Sequence, residues 1–241
     1  MLNLSKFSGK IIHMENTPKH IVLFPDGNRR WATEHGISIA DGYLRGKDKF
    51  NDFLRWSKDR GVHVVTVFGF SSENWKRPQD QVDFLMHVFE KYLEEGIETF
   101  NKEQVCVKVI GQKYKLSESL KKVIEKVEAA TKNNATMHLN LAVSYGGRWD
   151  IVNAAKELLK KGIDPEKLTE EMFASELSTA GLPEPDLIIR AGGEMRLSNF
   201  VLWQGAYSEL YFYPKYWPDF TEKDLDEALA DYSERKRKFG R

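Results

Sequence analysis

Short apolar runs rich in β-branched and aromatic residues recur along the chain: HIVLFP (20–25), VHVVTVFGF (62–70), VCVKVIG (105–111), MHLNLAVSY (137–145), DLIIR (186–190) and ELYFY (209–213). Each stops at a polar or glycine signal, so each reads as a strand. Between them, residues 41–60, 79–103, 117–132, 148–161 and 221–238 carry apolar positions at helical spacing, with Ser117 and Thr221 placed to cap two of the helices. The alternation predicts an α/β fold, a central, mostly parallel six-stranded sheet flanked by helices. Residues 1–17 read as an N-terminal arm and residues 18–241 as one domain.

Four of the strands run into polar loops. PDGNRRW comes after the first, SSENWKRP after the second, YGGRWD after the fourth and RAGGEMRLSNF after the fifth. In a parallel sheet these loops share one rim, where α/β proteins collect ligands. Gly27 lets the backbone turn its amides toward a ligand, and the forks of Arg29 and Arg30 match phosphate oxygens. The chain has no GxxxxGK[ST] and no GxGxxG, so neither familiar nucleotide loop is present. Asp26 adds a carboxylate, which a hard ion such as magnesium bridges to a diphosphate; the simpler role is a helix cap.

Arg190, Arg196 and Ser198 form a second group of anion donors, which suggests two phosphorylated substrates. Glu209, opening ELYFY, is a second candidate metal carboxylate or an ion-paired strand end. Ser71, Ser72, Asn74 and Arg77 beside Trp75 would hold a polar head under an indole; alternatively Ser72 and Glu73 start a helix and Trp75 is core. Val82, Leu85, Met86, Phe89 and Leu93 form a stripe that by default faces the core. Beside diphosphate sites it would instead line a hydrocarbon tunnel, with Gly69 leaving room.

Composition narrows the classes. Lysine plus arginine and aspartate plus glutamate both number 36, so no global field draws in nucleic acid and any anion site is built locally. Cys106, the one cysteine, sits in an apolar run; this excludes an internal disulfide and a cysteine-rich metal site. No apolar run approaches the ~20 residues of a membrane span, and the first residues lack a signal-peptide core, so a cytoplasmic location is expected.

DGNRRW, FSSENWKRP, LNLAVSYGGRWDI, IIRAGGEMRLSNFVLWQ, YSELYF and WPDF, in this order over about residues 18–240, resemble the cis-prenyltransferases, the family of undecaprenyl and dehydrodolichyl diphosphate synthases. The DDxxD helices of the trans-type enzymes do not occur. The resemblance implies a homodimer that condenses an allylic prenyl diphosphate with isopentenyl diphosphate, uses Mg2+, and touches membranes peripherally through its lipid product. It implies that Asp26 positions the metal and the allylic diphosphate, with Gly27, Asn28, Arg29, Arg30 and Trp31 around that diphosphate. Ser71, Ser72, Glu73, Trp75 and Arg77 would shape the substrate pocket, Arg190, Arg196, Leu197 and Ser198 would bind isopentenyl diphosphate, and Glu209 would be a second metal ligand. Asn74 occupies the position of the family's proposed proton acceptor, although a neutral carboxamide is a very weak base.

Four positions depart from the family pattern. Ile39 and Tyr43 replace an arginine and a histidine, Met195 replaces a second histidine, and Lys238 replaces the arginine of a C-terminal arginine-x-glycine motif. Tyr43 remains a candidate substrate contact. PDG, RRW, GIS and DGY also resemble the irregular branch that joins two dimethylallyl diphosphates, such as lavandulyl and cyclolavandulyl diphosphate synthases. The full SSENW motif favours head-to-tail elongation. A terpenoid diphosphate hydrolase and a non-catalytic accessory subunit are lesser alternatives, the latter opposed by the presence of Asp26 and the arginines.

Overall fold

The computed structural model of the protein describes residues 16–235, so most of the expected N-terminal arm, and Lys238, lie outside the described residues. Six strands form where the apolar runs predict them: β1 (His20–Phe24), β2 (Val64–Ser71), β3 (Val105–Ile110), β4 (Met137–Tyr145), β5 (Leu187–Arg190) and β6 (Glu209–Phe212). They pair in the order β3-β4-β2-β1-β5-β6, every pair parallel. All five residues of β1 are buried, as expected for an inner strand of a parallel sheet covered on both faces.

The helices are α1 (Asn28–Glu34), α2 (Ile39–Asp59), α3 (Gln79–Lys102), α4 (Glu118–Thr131), α5 (Gly147–Lys160), α6 (Glu170–Ala174) and α7 (Glu222–Glu234). Ser117 caps α4 by accepting from the Leu120 amide at 3.2 Å, and Thr221 opens α7 in a capping box with Asp224. Periodicity did not predict α1 and α6, whose seven and five residues are too few to establish a helical stripe. The DGNRR segment is therefore a left-handed Gly27 followed by a helix rather than an open loop. α7 ends at Glu234, short of the expected 238, because Arg235 is extended.

Two glycines one turn apart set how α1 lies on α2. A Cβ on Gly42 would stand 2.7 Å from both the Ala32 Cβ and the Asn28 carbonyl oxygen, and one on Gly46 would stand 2.1 Å from the Asn28 side-chain oxygen. Trp217 locks the same corner by donating its indole N–H to the Gly46 carbonyl at 2.9 Å. This close packing carries the first turn of α1 to the carboxyl rim of the sheet.

At the opposite end of the sheet His20 joins three strands. Its Nδ1 lies 2.7 Å from the Pro183 carbonyl, which can only accept, so Nδ1 carries the proton and Nε2 accepts from Thr66 at 2.8 Å. Thr66 in turn accepts from Asn140 of β4 at 3.0 Å. Burial lowers the His20 pKa to about 4, against opposing contributions from Pro183 and Asp186. The folded protein keeps this ring neutral where the unfolded chain takes up a proton, so stability is lost as pH falls from 6.5 toward 4. Between pH 7 and pH 5 the protein should lose about 2 kcal/mol more than His20→Asn. Urea unfolding of both proteins at the two pH values checks this, and equal losses would refute it.

Candidate active site

A cavity of about 800 Å3 opens at the carboxyl ends of β1, β2 and β5. Arg29, Arg30, Lys47, Arg77 and Arg190 line it together with two carboxylates, Asp26 and Glu73, so a chain with balanced charges has a local cationic excess here. The mouth is polar and the interior apolar.

Arg190, the last residue of β5, organises one wall. Its side chain is 5% exposed, and its guanidinium lies 5.0 Å from the centre of the Phe24 ring. Nη2 donates to Asp26 Oδ2 at 2.9 Å, and Nη1 donates to the Ser198 hydroxyl at 2.8 Å and to the Arg196 carbonyl. Arg30 approaches the other Asp26 oxygen at 3.4 Å and pairs with Glu194 at 3.1 Å. Gly192 permits this convergence, since a Cβ there would lie 2.9 Å from Arg30 Nη2 and 3.1 Å from the Asp26 backbone. Asp26 is thus the shared counter-ion of two arginines, not a helix cap.

The facing wall is the turn after β2, a 3-10 helix over Ser72–Lys76. Ser71 caps it by accepting from the Asn74 amide at 3.2 Å, while the Asn74 side-chain oxygen accepts from the Ser71 amide at 3.0 Å. That oxygen must face the N–H, which commits Asn74's acceptor to the backbone and leaves its NH2 as a donor. Burial alone would raise the Glu73 pKa, but hydrogen bonds from Asn199, its own amide, Ser71 and Ser72 outweigh it and hold the carboxyl below its usual range. Arg77 donates to the Tyr43 hydroxyl at 3.0 Å, so the two cavity residues from the second motif and from α2 meet.

The interior belongs to α3. Leu85 and Phe89 of the expected stripe line the cavity with Val88 and Tyr92, whereas Val82 and Leu93 face the core. Gly69 leaves the room expected of it, since a Cβ there would come within 3.1 Å of Phe89 and Leu141. The Tyr92 hydroxyl is buried without a partner, and burial pushes its pKa well up. Gly27, Asn28, Arg29 and Ser71 complete the predicted residues that reach the cavity.

Other predicted residues point elsewhere. Trp31 stacks on His35 and donates its indole N–H to Asp219 at 2.8 Å, and Trp75 donates to Ser144 at 2.8 Å while packing edge-on against Phe70. Both indoles spend their N–H on a protein oxygen. Leu197 packs against a second apolar cluster that contains Phe24 and Phe200. Ser72 sits behind the turn, its hydroxyl 2.5 Å from where a Gly146 Cβ would be, and the exposed Arg196 pairs with Glu194 at 2.5 Å. Ile39 is the first residue of α2 and Met195 is exposed.

Glu209 stands apart from Asp26 within the chain. In register it stands level with Leu187 and Ile21 at the amino end of the sheet, whereas Asp26 follows the carboxyl end of β1. Three residues along and two strands across each amount to about 10 Å. Its carboxylate pairs with Arg235 at 2.8 Å, so within one chain Glu209 does not reach Asp26. Sequence reasoning also missed Lys47, Glu194 and Asn199; Asn199 comes directly after Ser198 and, like it, has a positive φ.

Residues 24–240 match the family described as "Putative undecaprenyl diphosphate synthase". The chain belongs to this family of cis-prenyltransferases. An isoprenyl transferase of Thermotoga maritima is 44% identical over 225 residues, 92% of this chain and 97% of the relative. A ditrans,polycis-undecaprenyl-diphosphate synthase of Legionella pneumophila, named as specific for (2E,6E)-farnesyl diphosphate, is 42% identical over 92% of this chain and 95% of its own length. Lavandulyl diphosphate synthase from Lavandula x intermedia, solved with dimethylallyl diphosphate, superposes with a TM-score of 0.89 at 39% identity, covering 93% of this chain and 99% of that one. A probable undecaprenyl diphosphate synthase from Campylobacter jejuni superposes at 0.80 with 32% identity, over 94% and 100% of the two chains. Among the described residues of this cis-prenyltransferase, no helix is long and apolar enough to cross a membrane.

Because Arg190 is buried on Asp26, losing that carboxylate affects the fold as well as the site. Asp26→Ala should lower stability by about 1.5–3 kcal/mol, the range for a hydrogen bond to a charged group, and Asp26→Asn, which keeps an acceptor oxygen, by less. Urea unfolding of both variants checks this; an unchanged midpoint for Asp26→Ala would count against the shared counter-ion.

Proposed function

We propose that this cis-prenyltransferase condenses an allylic prenyl diphosphate with isopentenyl diphosphate, giving a Z-polyprenyl diphosphate and releasing diphosphate. The observation that carries it is a cationic mouth, with Arg30 and Arg190 on one wall and Arg77 on the other, directly above an apolar interior. Such a site suits two diphosphate heads and their hydrocarbon tails. A function as a homodimer in the cytoplasm, with peripheral membrane contact through the lipid product, belongs to the same proposal.

In the reaction the allylic carbon–oxygen bond breaks and its electron pair leaves with the diphosphate. The double bond of isopentenyl diphosphate attacks the allylic carbon, and a proton is then lost to form the new double bond. Arg29, Arg30 and Arg190 stabilise charge as it builds on the leaving group, inside a site where the apolar interior strengthens electrostatics. The walls hold alkene and allylic carbon together, which lowers the barrier by positioning. Asn74, whose oxygen is committed to the Ser71 amide, orients a phosphate through its NH2; a diphosphate oxygen accepts the proton.

Magnesium fits this donor set. Among the described residues no group of three or more histidine, cysteine, aspartate or glutamate side chains forms a metal cage. One carboxylate plus substrate phosphate oxygens is the usual arrangement for this ion, and Asp26 at the mouth supplies that carboxylate. When bound, magnesium supplies additional neutralisation of diphosphate charge. Irregular coupling is not favoured: the isoprenyl transferase relatives are more similar in sequence than the lavandulyl enzyme, and SSENW is complete.

Incubation with an allylic primer, magnesium and labelled isopentenyl diphosphate should put label into a longer diphosphate. Release of free alcohol, or an unlabelled coupled product, would overturn the assignment. Asp26→Asn should cut turnover by at least about 100-fold, because it would lose the carboxylate that would hold magnesium and that aligns Arg30 and Arg190, the groups that stabilise the leaving diphosphate. Phe89 lines the apolar interior below the cationic mouth, where the hydrocarbon tail would lie. Phe89→Ala should accordingly shift products toward longer chains on reversed-phase chromatography; an unchanged distribution would show that Phe89 does not limit length.

A further inference from the structure

Asn199 has no part in the proposed chemistry, yet its polar groups tie together three loops of the rim. Its side-chain NH2 donates to Glu73 Oε1 at 2.8 Å, and its side-chain oxygen accepts from the Arg148 amide at 2.9 Å. Its backbone carbonyl accepts from the Gly147 amide at 2.6 Å. The orientation of the carboxamide is dictated by chemistry, since only oxygen can face the Arg148 N–H and only nitrogen can face the Glu73 carboxylate.

The backbone is equally demanding. Asn199 sits at φ 63° beside Ser198 at φ 45°, in the left-handed region that asparagine tolerates better than most side chains. The glycines of the loop opposite allow a close approach to Asn199 as well as to Ser72 and Leu202. A Cβ on Gly146 would lie 2.8 Å from the Asn199 NH2, and one on Gly147 would lie 3.2 Å from its carbonyl. Position 199 therefore needs both a left-handed backbone and a side chain with an acceptor and a donor.

These bonds join the two walls of the cavity. Glu73 and Asn74 belong to the turn after β2; Ser198, next to Asn199, accepts from Arg190, which holds Asp26. We propose that Asn199 is a positioning residue that fixes the Glu73–Asn74 turn against the Ser198–Arg190 wall, so that both diphosphate positions are set together. The inference rests on the proposed function for calling these walls diphosphate positions. Coupling of this kind is reciprocal: a diphosphate that orders one wall strengthens binding at the other.

Three variants test it. Asn199→Gly keeps the left-handed backbone and removes the side chain; Asn199→Asp keeps the acceptor for Arg148 but sets a carboxylate against Glu73. Combining Asn199→Asp with Glu73→Gln restores a donor–acceptor pair with its direction reversed. Inorganic pyrophosphate affinity, by calorimetry, and KM against kcat are the readouts. Folded Asn199→Gly should bind pyrophosphate at least 10-fold more weakly and raise both KM values more than it lowers kcat. Asn199→Asp should be worse, and the double variant should recover affinity relative to it. Affinity and KM within twofold of the original in folded Asn199→Gly would overturn the proposal, as would failure of the double variant to recover if Asn199→Gly does not fold. The pyrophosphate titration needs no turnover. Protein that binds it in an Asn199-dependent way but incorporates no isopentenyl unit would overturn the proposed reaction and support the positioning role.

Discussion

The site depends on one buried charge. Arg190 ends a strand of four residues, lies over the Phe24 ring and is almost fully enclosed. A guanidinium in that position is strongly destabilising unless its donors are met, and breaking such a pair leaves an uncompensated charge. Its partners come from separate segments, Asp26 after β1 and the Arg196–Ser198 turn after β5. Pairing its two terminal nitrogens, while Nε stays buried without a partner, therefore specifies how the ends of two neighbouring strands stand to one another. The left-handed residues Ser198, Asn199 and Val201 persist in the turn because it is held at these points.

The same arrangement explains how a chain of balanced charge presents a cationic mouth. Arginines crowded without partners would repel one another, and here Asp26 and Glu194 lie between them. Their attraction is modest where water reaches, as at Arg30 and Arg196, and larger at Arg190. A diphosphate brings several oxygens to the same donors and exchanges these contacts instead of creating a field from nothing. The apolar lining from α3 lies immediately below, so charge developing on the leaving group is met by fixed donors and not by reorienting water.

Burial determines how far the fold was legible. The four inner strands of this parallel sheet are covered on both faces and appear as continuous apolar runs, whereas the edge strands β3 and β6 were legible from their β-branched and aromatic residues. α1 was hidden because seven residues following a glycine read as a loop. Residues that come after strands gather at one rim, whereas Glu209, which begins one, is sent by parallel direction to the opposite rim of the chain's sheet. Trp75 sits inside a polar motif and so resembled a ligand shield, and Trp31 an expected diphosphate neighbour, whereas each indole N–H is met by a protein oxygen, Ser144 and Asp219 respectively. Lys47 was missed because a lysine on a long helix reads as solvated. Asn199 had one sequence signal, an asparagine beside a serine in a loop facing paired glycines, but its meaning depends on a contact 126 residues away in sequence.

Tyr43 illustrates how a departure from the family pattern is absorbed. By motif alone, a phenol in place of a histidine removes a cationic donor from the mouth. In the fold that phenol packs at 6.3 Å from the Phe84 ring and accepts from Arg77, while its own O–H remains to donate. A neutral acceptor holds the guanidinium in place without neutralising it, so Arg77 keeps its charge for a ligand; a carboxylate there would compete for the same fork. Tyr43 thus orients Arg77 at the mouth while leaving its charge uncompensated.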